Sequence, residues 1–183
     1  NWGKYLYLRD QESGQFWSAT WKPCMPSFDF FEVRHGLGYS VLTSETQKIR
    51  VEKTLFVDAK DPVEVWLVRL TNKDTKPRKI ALFSYFEWCL GNSNDTHREF
   101  HKTFIETHID EKNHCLYGLK RPALVPGFIS TGLKEKPLEA FHAAHPRPVA
   151  YEGDKEAFFG RYGEMHNPEA VRRGRLANSQ GKW

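Results

Sequence analysis

Residues 49–72 read IRVEKTLFVDAKDPVEVWLVRLTN. The first nine alternate, with Ile49, Val51, Lys53 and Leu55 on one face and Arg50, Glu52, Thr54 and Phe56 on the other. That two-residue period is the signature of a strand with one buried face. DAKDP (58–62) supplies turn residues. VEVWLVRLTN (63–72) is apolar on both faces in its middle, which predicts a strand covered on each side. NKDTKPRK (72–79) reads as a second turn, and IALFSYFEWCL (80–90), rich in aromatic residues, as a third strand. Turn signals at this spacing predict an all-β fold, an antiparallel β-sandwich.

Outward from this core the pattern persists toward the amino end. GKYLYLRD (3–10) and QFWSATW (15–21) are strand candidates around the turn QESG, and KPCMPS (22–27), with two prolines, is a loop. FDFFEVRHG (28–36) and YSVLTSE (39–45) flank Gly36-Leu37-Gly38. Beyond residue 90 the character changes. GNSNDTHREFHK (91–102) is polar and charged, and TFIETHIDEKNHCLYGLKR (103–121) predicts two strands around DEKN. Residues 122–150 hold five prolines and few runs long enough for a buried strand. From 151 the chain reads as loop with one helical turn at NPEAVRR (167–173), where Pro168 suits the first helical position.

Composition narrows the function classes. The chain has 183 residues, about one domain's worth, with Lys plus Arg 27 against Asp plus Glu 23. A net charge of +4, dispersed along the chain, does not argue for a nucleic-acid partner. Aromatic residues make up 14 %, which suits a β-rich core and also flat contacts with sugar rings. Cys24, Cys89 and Cys115 are widely spaced without a CxxC pair, so neither a disulfide framework nor a zinc knuckle is expected, and a reducing, cytoplasmic setting follows most simply. No apolar run approaches the length of a membrane helix, so no membrane partner is expected.

No catalytic centre is visible in the residues alone. His97 and His101 in HREFH have helical i, i+4 spacing, but Glu99 is not where HExxH places its glutamate, and spacing suggests no third metal ligand. There is no GxSxG elbow, and the glycines of GLG do not form GxGxxG before a helix. Carboxylate pairs for glycosidic chemistry exist among the acids, but the sequence selects none. The run RRGR (172–175) reads as a solvated basic patch, with anion binding as the alternative.

The order of several motifs carries more. YLYLRDQESGQFWSATWKP (5–23), EVRHGLGYSVL (32–42), LFVDAKDPVEVWLVRLTN (55–72) and FSYFEWCLGNSNDTHREFHK (83–102) follow one another, with DKEAFFGRYGEMHNPEAVRRGR (154–175) later. This series closely resembles the amino-terminal domain of glycoside hydrolase family 94, the cellobiose and cellodextrin phosphorylases. The resemblance implies a β-supersandwich and a parent protein that splits β-linked gluco-oligosaccharides with inversion. Inorganic phosphate is the co-substrate, a sugar 1-phosphate is the product, and no cofactor is required. It also implies that the general acid and the main phosphate ligands sit in an (α/α)6 barrel absent from this chain, so residues 1–183 carry no catalytic residue. The chain then reads as an incomplete portion of the sandwich.

In homodimeric family members a loop of this domain reaches the neighbouring subunit's active site. The resemblance places that loop at NSNDTHREFHK (92–102), with Arg98, Glu99, His101 and Lys102 as sugar-contacting residues. Lys102 stands where cellobiose phosphorylases have Arg, which keeps the charge but loses the bidentate fork. The plain alternative is that these side chains solvate a loop. RHGLGY (34–39) matches a motif within the family's sandwich. It is expected to be structural, its glycines permitting a bend or bulge, with Arg34 and His35 pairing to neighbouring polar groups. Three other readings stand beside this one: a stand-alone carbohydrate-binding sandwich, a purely structural domain whose aromatics are all core, and the phosphorylase-like domain of a cyclic β-glucan synthase.

Overall fold

The computed structural model describes residues 3–90, 105–121 and 137–181. The chain divides into two compact units, one ending at Tyr85 and the other beginning at Phe86. Antiparallel β-sheets dominate, the all-β class that the turn spacing predicts and in keeping with the supersandwich that the family resemblance implies.

The first unit is a sandwich of two sheets. Strands β3 (Phe30–Gly36), β4 (Tyr39–Thr46), β5 (Ile49–Val57) and β6 (Glu64–Asn72) form an antiparallel meander in the order β3-β4-β5-β6. Strands β1 (Lys4–Asp10), β2 (Phe16–Ser18) and β7 (Ile80–Phe86) form a smaller sheet in the order β2-β1-β7. Leu6, Leu8, Trp17 and Ala19 of the smaller sheet and its flank bury against Ile49 and Val51, with Val68 and Ile80 at the margin. The alternation in 49–57 therefore sets which face of β5 meets the core. It also turns Lys53 inward, only 4 % exposed. Its ammonium lies 4.4 Å from the Trp66 ring centroid, and burial lowers its pKa while the nearby Glu64 charge opposes that shift. A cation over an aromatic face recovers part of the lost hydration.

One expectation needs correction here. Among the described residues strand β6 is not covered on both faces: it is the outer strand of its sheet, and Leu67 is 64 % exposed. Its apolar character reflects strand propensity as much as burial. In residues 122–150, where few runs are long enough for a buried strand, the described residues contain β10 (Leu138–Ala143), short and mostly exposed between Pro137 and Pro146. Prolines beside a run tolerate an edge strand, which is what β10 is.

The second unit carries β8 (Ile105–Asp110), β9 (Cys115–Lys120) and β10 as an antiparallel sheet in the order β10-β9-β8. The turn between β8 and β9 falls at 111–114, as DEKN predicts. Helix α1 (Lys155–Phe159), not anticipated from sequence, begins at Asp154, whose carboxylate accepts from the N–H groups of Glu156 and Ala157. Helix α2 (Glu169–Arg173) forms where NPEAVRR places it, with Pro168 one position earlier than expected, at the N-cap. Its Gly174 closes the helix in the left-handed region at φ 75°. Trp88, Ile105 and Leu116 form the core of this unit, with Phe86, Ile109, Ala140 and Tyr151 against it.

Candidate functional site

The site expected from sequence is the loop between FEWCLG and β8. Arg98, Glu99, His101 and Lys102, together with His97, lie outside the described residues. The two stems of that loop are described. On the first, Glu87 and Trp88 turn inward after β7, only 6 % and 3 % exposed. The Glu87 carboxylate accepts a hydrogen bond from Lys155 Nζ of α1 at 2.6 Å. A buried carboxylate held by a cation fixes chain position, because either partner alone leaves an uncompensated charge. Trp88 meets Phe86 edge-to-face at 4.6 Å and lies so close to β9 that a Cβ on Gly118 would come within 2.7 Å of its ring. On the second stem Ile105 is fully buried. The aromatic and acidic residues of FEW are thus buried in the stem that precedes residues 91–104.

Strand alternation gives the β8-β9-β10 sheet two different faces. One face carries Ile105, Thr107, Leu116 and Ala140 toward Trp88. Thr107 Oγ1 there donates to Gly153 O at 2.6 Å, and its backbone N–H donates to Gly181 O. The other face aligns His108, Tyr117 and Phe141 across three adjacent strands. The next row toward the loop stem aligns Glu106, Leu119 and Glu139. An open depression of about 510 Å³ lies on this face, lined in part by His108, Tyr117, Leu119 and Glu139. No motif in the sequence singles out this row. Its members come from three segments, and only the strand register brings them side by side.

The RHGLGY stretch is a hairpin turn. Gly36 pairs with Tyr39, leaving Leu37 and Gly38 as the two central residues. Gly38 has φ 82°, the value a type II turn asks of its second central residue. The structural turn expected at these glycines is therefore a two-residue hairpin turn. His35 Nδ1 lies 2.8 Å from Ser40 Oγ, and Arg34 Nε lies 3.0 Å from Glu32 Oε2, so both basic residues pair with polar neighbours as expected. In the RRGR run, Arg172 and Arg173 both reach Glu169, one turn earlier on α2.

Electrostatics elsewhere is that of a scaffold. Burial pushes the Cys24 thiol up to about 11 and raises that of Cys115, away from nucleophilic thiolate. Among the described residues no group of His, Cys, Asp and Glu side chains is arranged to hold a metal ion. No helix among them is long and apolar enough to cross a membrane.

Comparison with known proteins gives a consistent result. The family model described as glycosyl hydrolase 94, supersandwich domain, matches residues 1–183. The chain is 33 % identical to a solabiose phosphorylase of Paenibacillus borealis, over 96 % of its own length and 22 % of the relative's. It is 34 % identical to an N,N'-diacetylchitobiose phosphorylase of Vibrio proteolyticus, over 97 % of its own length and 21 % of the relative's. A cyclic beta-(1,2)-glucan synthase of Rhizobium meliloti is 27 % identical over 92 % of the chain and 6 % of that protein. The chain thus spans about a fifth of the length of the curated phosphorylases it matches.

Proposed function

This chain belongs to the glycosyl hydrolase 94 supersandwich family, and from that membership we propose that it is the non-catalytic sandwich portion of an inverting β-glucoside phosphorylase. The observation that carries the proposal is the family match across residues 1–183, joined to relatives named as disaccharide phosphorylases. The parent protein cleaves a β-linked gluco-oligosaccharide with inorganic phosphate, without a further cofactor. Its general acid and phosphate ligands belong to a catalytic barrel outside these 183 residues. Inverting chemistry needs one carboxylic acid to protonate the leaving oxygen and a nucleophile on the opposite face. Phosphate is already anionic, so the site must orient it with cations and hydroxyls rather than deprotonate it.

The sandwich contributes assembly and the sugar side of the site. In this reading the protein is a cytoplasmic homodimer, and the loop holding Arg98, Glu99, His101 and Lys102 meets the sugar bound by the partner subunit. Buried Glu87, paired with the half-buried Lys155, and Trp88 hold the near stem of that loop. Substituting Lys102→Ala in the full-length protein is expected to raise KM for the disaccharide about tenfold, the loss of one charge-assisted hydrogen bond. An unchanged KM, with the Glu99→Gln variant equally silent, would assign the loop to solvation.

The reading as a whole is tested by phosphate-dependent release of sugar 1-phosphate from a panel of β-linked disaccharides. Activity is expected from the full-length protein and not from residues 1–183 alone. Activity in the shorter chain would overturn the non-catalytic assignment. A silent full-length protein would favour the cyclic β-glucan synthase reading, which the Rhizobium match supports.

A further inference from the structure

The outer face of the β8-β9-β10 sheet carries three rings in a cross-strand row. His108 is paired with Tyr117, and Tyr117 with Phe141. The Tyr117 and Phe141 centroids are 6.4 Å apart and their planes differ by 50°, so the row twists rather than lying flat. Phe141 is 56 % exposed, a large apolar ring left in water next to Tyr117, which lines a depression of about 510 Å³. Exposed aromatic surface beside a concave, partly polar wall is the usual composition of a ligand contact. Adjacent strands are about 4.8 Å apart, so the rings extend over about 10 Å. That is the length of two consecutive sugar units, not of one.

The polar groups around the rings select the ligand class. Glu139 borders the depression, and its carboxylate makes no hydrogen bond or ion pair with a described residue. Asp110, also on the wall, is held below the usual carboxylate range by the backbone and side chain of Asn113. Glu106 is engaged by Arg121 at 3.0 Å. Carboxylates are acceptors only, so they match hydroxyl donors and repel phosphate, sulfate or an anionic surface. A ligand with apolar CH faces for the rings and hydroxyls for the acids is a neutral carbohydrate.

We propose that this face is a carbohydrate-contact surface, in which the His108–Tyr117–Phe141 row and Glu139 hold two consecutive pyranose units of a neutral β-linked gluco-oligosaccharide. That this carbohydrate is a β-linked gluco-oligosaccharide rests on the phosphorylase reading; the row, the depression and the Glu139 carboxylate, which select a neutral carbohydrate, do not. The surface is separate in sequence from Arg98, Glu99, His101 and Lys102, and serves chains longer than the disaccharide. It raises the residence of longer substrates without touching the reacting bond.

The test uses the full-length protein with cellohexaose as the binding probe and a disaccharide of the active panel as the catalytic one. Phe141→Ala is the first variant, and Glu139→Gln the second, since both side chains are exposed and neither holds the fold. Phe141→Ala is expected to weaken cellohexaose binding by calorimetry at least tenfold, and Glu139→Gln about threefold. Disaccharide kcat/KM stays within twofold of the parent in both. Cellohexaose should also protect amides of residues 115–120 and 138–143 from hydrogen exchange. Equal binding by parent and variants, or no binding by the parent, overturns the proposal whether or not the disaccharide is cleaved. Protection of these strands that rises with protein concentration and ignores the sugar would assign the face to a second copy and overturn it as well. A parent silent on every disaccharide while the Phe141→Ala loss persists overturns the phosphorylase reading and leaves this one standing.

Discussion

At Asp10, backbone and side-chain donors converge on one buried carboxylate. The N–H groups of Glu12 and Ser13 donate to Oδ1, and Arg78 reaches Oδ2 at 2.6 Å from Nε and 2.5 Å from Nη2. These contacts, the Ser13 N–H foremost, hold the Asp10 pKa at about 2 against an ordinary 3.8. A depressed carboxyl contributes stability that is present above the unfolded value and lost as pH falls through the folded one. Acid loss from this group is therefore expected between about pH 4 and pH 2. Arg78→Ala should lower the unfolding free energy at pH 7 by about 2 kcal/mol and narrow that acid window. Urea unfolding from pH 7 down to pH 2 checks both, and an unchanged acid limb would mean that Arg78 adds nothing beyond the Ser13 and Glu12 turns. Gly118 makes a second residue-scale case. A methyl group there meets the Trp88 ring at 2.7–2.8 Å, and Trp88, 3 % exposed, has little room to retreat. Gly118→Ala is expected to cost about 1–3 kcal/mol, read as a shift in thermal midpoint. Neither site was legible beforehand. Asp10 and Gly118 look like ordinary turn and strand residues until Arg78 and Trp88 arrive from distant positions in the chain.

Among the elements, β5 and β6 show how far periodicity reaches. The alternation of Ile49, Val51 and Lys53 against Arg50 and Glu52 identifies the core face of β5, because the partner sheet covers one side only. The continuous apolar run of β6 suggests two covered faces, yet Leu67 stands open to solvent on an outer strand. An apolar run states strand propensity; coverage depends on what is stacked against each face, which periodicity does not encode. Ile49→Ala is thus expected to cost about 2–4 kcal/mol, and Leu67→Lys to stay within about 0.5 kcal/mol. Equilibrium unfolding of the two variants separates these, and a large loss at Leu67 would show that its face is covered after all. The short elements follow the same logic. Asp154 caps α1 and Gly160 ends it, a five-residue helix too brief for a periodic signal. Pro168 and Gly174 bracket α2, which is why that helix was readable.

At the scale of the molecule, two cores of separate composition among the described residues sustain the two units. Ile49 and Val51 with Leu6, Leu8 and Trp17 make one; Trp88, Ile105 and Leu116 make the other. Ile105→Ala removes a fully buried side chain, and by hydrogen exchange it is expected to deprotect β8 and β9 far more than β4 and β5. Uniform loss of protection would instead mean one cooperative structure. The sequence by itself determined the all-β class, the strand meander of 28–72, the turn at Gly36-Leu37-Gly38, and, through ordered motifs, the family. Those are properties of local propensity, two-residue periodicity and linear order, and each is complete within a short stretch. Tertiary structure alone decided that β6 lies at an edge, that Glu87 pairs with Lys155, and that His108, Tyr117 and Phe141 stand in one row. Those facts depend on register and stacking between segments far apart in the chain, where the contact is set by the cross-strand partner and not by the neighbour in sequence.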